Sequence, residues 1–171
     1  KTLAASHSGQ DAVMPSSRPS GWMLTLLATA QLIIALDATI VFVALPQIGA
    51  HLDFSAQQLQ WVVSAYSVAF GGFLLLGGRA TDLLGKRRLY RLGQSLYALA
   101  SLAAVLGGSA VLLVLARAVQ GVGGAMLFPA TLALINTHYA EGPARNRAFA
   151  VWSAASAAGL ALGALLGGVL T

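Results

Sequence analysis

The sequence predicts an all-α membrane protein, one bundle of transmembrane helices, and three observations carry that prediction. Only 9% of its 171 residues are charged and 57% are hydrophobic, where a soluble domain carries about a quarter charged residues. Apolar runs of about 20 residues, the length of helix that spans a bilayer core, recur five times. The remaining charge is concentrated in short stretches between those runs. Barrel strands would be about half as long.

The Lys/Arg distribution gives each run a direction. The stretch 77–90 holds Arg79, Lys86, Arg87 and Arg88, with Arg91 just beyond. Short connections rich in Lys and Arg stay cytoplasmic, so this stretch is expected inside, and Arg18, Arg145 and Arg147 fall on the same side. The net charge of +5 is then a topological signal rather than a footprint for nucleic acid.

In chain order, residues 1–21 read as a polar cytoplasmic tail. The first span covers about 22–46, with Trp22 as interfacial anchor and Pro46 as its end. Residues 47–60, with His51 and Asp53 but no Lys or Arg, read as an external connection. The second span, about 59–81, opens with Trp61 and Tyr66 and closes at the basic stretch. The third covers about 89–107, and Gly107, Gly108 and Ser109 make an external turn. The fourth, about 110–139, contains Arg117 and Pro129. Arg145 and Arg147 mark 141–147 as a cytoplasmic connector, and the fifth span covers about 148–171. Both ends read as cut, with Met14 an alternative start, and five spans suggest a piece of something larger. The apolar run after the tail is too long for a cleavable signal peptide.

Only Asp37 and Arg117 lie well inside the expected spans. Ionisable groups there are costly and face the bundle interior or a water-filled cavity. A carboxylate in low dielectric can take and release a proton near neutrality, so Asp37 is the candidate proton site; its bland counterpart is a structural carboxylate paired to a neighbouring helix. Helical spacing puts Arg117, Gln120, Gly121 and Gly124 on one face. There Arg117 either biases the proton on a nearby acid or satisfies carbonyls inside the bundle. Gly159, Gly163 and Gly167 recur every four residues, with Gly168 adjacent, as a stripe that permits close helix crossing. Asp82 either pairs locally with Arg79 or Lys86, or belongs to a latch between two conformations. His7, His51 and His138 form no metal-ligand spacing, and no cofactor-binding or soluble-enzyme motif occurs.

These residues resemble the major facilitator superfamily, and within it the drug:proton antiporters with fourteen spans, over residues 22–171. The stretch from Asp37 to Pro46 is similar to that branch's first-helix motif, with Phe42 in place of a common Asn. Residues 59–63 with Tyr66 are similar to the opening of its second helix. The family's loop motif, Gly-x-Leu-Ala-Asp-Arg-x-Gly-Arg-Lys, falls on Gly78, Asp82, Gly85, Lys86 and Arg87, with Ala80 and Leu83 at the Leu and Arg positions. The fourth-helix motif falls on Arg117, Gln120, Gly121, Gly123 and Gly124. The antiporter motif of the fifth helix, Gly-x-x-x-Gly-Pro-x-x-Gly-Gly, falls on Gly159, Gly163, Gly167 and Gly168, with Ala164 at the Pro position.

The resemblance implies the first five helices of a six-helix N-terminal half, in a multi-pass protein of the plasma membrane with a cytoplasmic N-terminus. It implies alternating access, export of drugs or small amphipathic molecules against proton entry, and no enzyme activity. Asp37 and Arg117 would couple protons, and Gly78, Asp82, Gly85, Lys86 and Arg87 would gate the cytoplasmic side. The implied partners are membrane lipid, protons, a small-molecule substrate and the remainder of the transporter. Two other readings stay open: a proton-linked uptake carrier, for which Ala164 is the reason, and a non-transporting membrane scaffold or remnant.

Overall fold

A computed structural model describes residues 21–51 and 54–170. The expected tail at 1–20, Asp53 and Thr171 lie outside the described residues. Five helices follow in order: α1 Gly21–His51, α2 Ala56–Leu84, α3 Lys86–Leu106, α4 Ala110–His138 and α5 Pro143–Leu170. All five are long and apolar enough to cross a membrane, in agreement with the five expected spans.

The helices run further than the apolar pattern indicated, and the connections are correspondingly shorter. Pro46 does not end α1; the helix carries it inside and continues to His51. A proline removes one backbone hydrogen bond, and membrane helices tolerate this where neighbouring groups re-satisfy the freed carbonyl. The expected external connection at 47–60 largely disappears, because α2 starts at Ala56 under a reciprocal cap. Ser55 Oγ accepts from the Gln58 backbone N–H, and Gln58 Oε1 accepts from the Ser55 N–H.

The basic stretch is corrected in the same sense. It is not a loop but the joined ends of α2 and α3, and Gly85 alone separates them with φ +85°. A 29-residue α2 is about 44 Å long, well beyond the hydrocarbon, so its charged end projects into the interface as helix. Lys and Arg are good helix formers whose long stems reach water, so α3 begins at Lys86 itself. Likewise α5 starts at Pro143, a favoured first helical position, and Arg145 and Arg147 lie in its opening turns.

Short connections make sequential helices antiparallel. α4 is the central element, with twelve buried positions from Ala116 to Ile135, and it packs between α2 and α3. α5 packs along α1. Glycines let these backbones approach. Gly121 and Gly124 of α4 lie against Tyr66, Ala69 and Phe70 of α2, and Gly123 faces Gly93 and Tyr97 of α3. On the other side Gly159, Gly163 and Gly167 lie against Leu32, Ala35, Leu36, Thr39 and Val43 of α1. Apart from a contact of Gly49 of α1 with Leu59 of α2, the α1–α5 pair meets the α2–α3–α4 trio mainly at two places. One is a polar centre; the other is an apolar cluster of Leu27, Leu134, Ile135, Tyr139 and Ala148 near the Arg-rich end. Outward faces carry bare aliphatic side chains such as Leu75, 86% exposed, and Val105, 81% exposed, as lipid contact requires.

The glycine contacts are testable. A Cβ at Gly121 would stand 2.9 Å from Ala69 Cβ and 3.0 Å from the Phe70 backbone nitrogen, whereas one at Gly71 meets nothing. Gly121→Ala is therefore expected to lower stability by about 1–3 kcal/mol, the cost of overpacking, and Gly71→Ala to leave it unchanged or slightly raised. Thermal unfolding of the two purified variants in detergent checks the difference.

Candidate functional site

The polar centre forms where α1, α3 and α4 cross. Asp37 stands near the middle of α1, and Arg117 two turns into α4. Arg117 Nη1 donates to Asp37 Oδ2 at 2.9 Å and to Gln120 Oε1, also at 2.9 Å. From α3, Tyr97 Oη donates to the same carboxylate oxygen at 2.8 Å, and Gln120 Nε2 approaches it at 3.3 Å. Gln120 Nε2 also donates to Ser101 Oγ at 2.7 Å, whose hydroxyl returns a bond to the Tyr97 carbonyl. The Arg117 guanidinium lies over the Tyr66 ring of α2, 4.6 Å from its centre.

Three donors on one oxygen suit an ionised carboxylate, which only accepts, and the bond from a guanidinium is of the stronger, charge-assisted kind. The Arg117 side chain is 5% exposed and that of Asp37 is 26% exposed. The arginine is thus sealed in protein, while one side of the acid remains open to its surroundings. A proton reaching Asp37 would cancel the charge that holds Arg117, and so loosen α1 from α4 and α3.

Arg117, Gln120, Gly121 and Gly124 are all buried, as their helical spacing indicated, but they serve three neighbouring helices. Arg117 and Gln120 turn to α1 and α3, and the two glycines admit α2. The atoms nearest a Cβ at Gly159, Gly163 and Gly167 belong to α1, and Gly168 faces open space. The stripe is a packing surface here.

At the basic end the expected partners are different ones. Asp82 is exposed and makes no salt bridge with Arg79 or Lys86. It lines a small recess with Thr81, Gly85, Lys86 and Ala133, while Gly78 faces open space. Arg87 instead reaches α4, where its Nη2 lies 3.0 Å from His138 Nε2. His138 Nδ1 lies 2.9 Å from the Leu134 carbonyl, which can only accept. Nδ1 therefore carries the proton, and Nε2 accepts from Arg87.

Sequence reasoning missed Tyr97, Ser101, Tyr66 and His138 as members of these networks. Tyr97 and Ser101, four residues apart on one face of α3, were a visible polar pair in an apolar span. A cavity of about 180 Å³ also opens between α1, α2 and α4, lined by Gln31, Ile34, Tyr66, Phe70, Gly124 and Phe128. Tyr66 stacks on Phe70, Phe70 meets Phe128 edge to face, and Phe128 meets Trp152 of α5. Gln31 Nε2 donates to Ser156 Oγ of α5 at 3.1 Å.

A lipid-facing bundle whose polar groups converge on one mid-helix acid defines the class, a multi-pass helical membrane protein. Its family follows from comparison. The chain matches the Major Facilitator Superfamily over residues 27–171 and belongs to that superfamily of membrane transporters, which are not enzymes. It is 49% identical to the puromycin resistance protein of Streptomyces alboniger over 153 residues, 88% of this chain and 30% of that one. It is 43% identical to the cephamycin export protein of Amycolatopsis lactamdurans over 148 residues, 86% of this chain and 30% of that protein. With the multidrug efflux pump LfrA of Mycolicibacterium smegmatis it shares 42% identity over 147 residues, covering 86% and 29%. The chain thus spans about 30% of the length of these relatives.

The ion pair makes a quantitative prediction. Asp37→Asn or Arg117→Gln alone leaves one charge without its partner, and the double variant removes both. A double-mutant cycle on unfolding in detergent is expected to return a coupling of about 1–3 kcal/mol, with the double variant more stable than the sum of the single losses.

Proposed function

We propose that this chain supplies the proton-coupling part of a transporter that exports drugs or small amphipathic molecules against proton entry. The observation that carries the reading is the half-open Asp37 carboxylate, bound through one oxygen to Arg117, Tyr97 and Gln120. It gives a proton a specific effect, since neutralising Asp37 releases a bond that joins the α1–α5 pair to the α2–α3–α4 trio. A proton moving down a membrane potential of about 100 mV delivers about 2.3 kcal/mol, which one such acid can apply to a change of state.

The aromatic-lined cavity is the surface offered to substrate. Tyr66 belongs both to its wall and to the underside of Arg117. A substrate that stacks on Tyr66 competes with the guanidinium for the same ring, and this couples occupancy of the cavity to the strength of the Asp37–Arg117 bond. The names of the relatives, which include a puromycin resistance protein and a cephamycin export protein, favour export over uptake and small organic molecules as cargo.

The rest of the reading is topological. The basic ends of α2, α3 and α5 lie in the cytoplasm, the N-terminus is on that side, and the membrane is the plasma membrane. Gly78, Asp82, Gly85, Lys86 and Arg87 form the cytoplasmic gate, and two halves rock about a central site to alternate access.

In vesicles holding the full-length transporter, Asp37→Asn is expected to abolish substrate export driven by an imposed pH gradient and leave substrate binding within about fivefold, since a shift below about 1 kcal/mol falls in that range. Wild-type export rates in that variant would sink the proposal, and pH-driven accumulation in place of export would turn it toward uptake.

A further inference from the structure

A second cleft lies apart from the polar centre, at the Arg-rich end between α1 and α3, with a volume of about 410 Å³. Its floor is apolar: Met23, Leu26 and Leu27 of α1 and Leu134 of α4. Its rim is Arg87, Tyr90 and Arg91 of α3. Arg87 and Arg91 are four residues apart and so project from one face of the helix. Tyr90 Oη makes a long hydrogen bond, 3.5 Å, to the Leu26 carbonyl, tying α3 to α1 beside the cleft.

No acid lines this cleft, and neither arginine makes a salt bridge among the described residues. The partner of Arg87 is a histidine nitrogen that accepts in its neutral form. That bond orients the guanidinium without cancelling its charge. Two cations held over an apolar floor lack an anion with an apolar body.

Depth says which anion. α1 begins at Gly21 and α3 at Lys86, so the arginines lie within the first turns of α3. Leu27 is six residues along α1, about 9 Å from its start. Trp22, 70% exposed, marks the same level as the membrane interface, where such rings settle. The cleft therefore runs from headgroup depth to the top of the acyl chains.

We propose that this cleft is a binding site for an anionic phospholipid, with Arg87 and Arg91 on its phosphate and the α1 side chains along an acyl chain. Basic pockets between membrane helices bind acidic headgroups in this way. The site is separate from the proton and substrate groups, and its occupancy is readable without any transport.

The test uses the full-length protein, loaded in vesicles of equal parts phosphatidylglycerol and phosphatidylcholine, extracted and weighed by native mass spectrometry. Wild type is expected to retain phosphatidylglycerol over phosphatidylcholine. Arg91→Gln should weaken that retention roughly fivefold, and Arg87→Gln with Arg91→Gln roughly thirtyfold. Arg79→Gln, which removes a basic residue that does not line the cleft, should leave it unchanged. Equal retention of the two lipids by wild type overturns the proposal, as does undiminished phosphatidylglycerol on the arginine variants or an equal loss with Arg79→Gln. Displacement by inorganic phosphate or glycerophosphate at comparable concentration also overturns it, since the cleft would then read phosphate alone.

Discussion

The bond between Arg117 and Asp37 sets the terms for the rest of this bundle. A lone charge inside a bilayer costs at least a few kcal/mol, so neither residue can be placed independently of the other. Satisfying both requires α1 and α4 to meet at one depth, with Tyr97 and Ser101 of α3 at the same level. Three helix axes must then pass close together. Gly93 and Gly123 permit this between α3 and α4, and Gly121 and Gly124 bring α2 near enough for Tyr66 to lie under the guanidinium. The glycines of the fourth helix and its arginine are therefore one device, in which small residues make room and the charge uses it.

The same pattern recurs in the packing of the two halves of the helix order. α2 lies parallel to α4, and α5 lies parallel to α1. Moving each helix of one pair three places along the chain gives the other pair, with direction reversed because α1 and α4 run oppositely. An inverted repeat of three helices produces this relation, as in the nested repeats of major facilitator halves. Glycines make the close contact in both pairs. The two groups of helices they create share little surface beyond the polar centre and one apolar cluster, so the ion pair sits on the joint between two tighter bodies.

How much of this could be read in the sequence depended on what each signal measures. Apolar length measures immersion in hydrocarbon, and it placed all five spans. It could not place their ends, since helices continue past the hydrocarbon for as long as the backbone allows. That is why the basic stretch reduced to Gly85, Arg145 and Arg147 fell inside α5, and Pro46 did not terminate α1. Helical spacing correctly gathered Arg117, Gln120, Gly121 and Gly124 on a buried face. It is silent about which neighbour each residue meets, so Tyr97 as a ligand of Asp37 was invisible. Asp82 shows the same limit from the other direction. Proximity in sequence offered Arg79 and Lys86 as partners, yet Asp82 makes a salt bridge with neither, although it shares a recess with Lys86. The bond from this end to α4 runs from Arg87 to His138.

Tyr66 connects the Asp37–Arg117 pair to the aromatic-lined cavity, and in the proposed function this joins the proton site to the cargo surface. Its ring face attracts the guanidinium above it, an interaction worth about 0.5–2 kcal/mol depending on desolvation, while its outer part stacks on Phe70 and walls the cavity. Anything that occupies this face alters what Arg117 gains by staying over it. Anything that neutralises Asp37 frees Arg117 to lean harder on the ring. The two events act on one guanidinium from opposite sides, and linkage makes their effects on each other equal in free energy. In that proposal a separate relay between the sites is unnecessary, because the arginine that anchors the acid also rests on a ring of the aromatic wall.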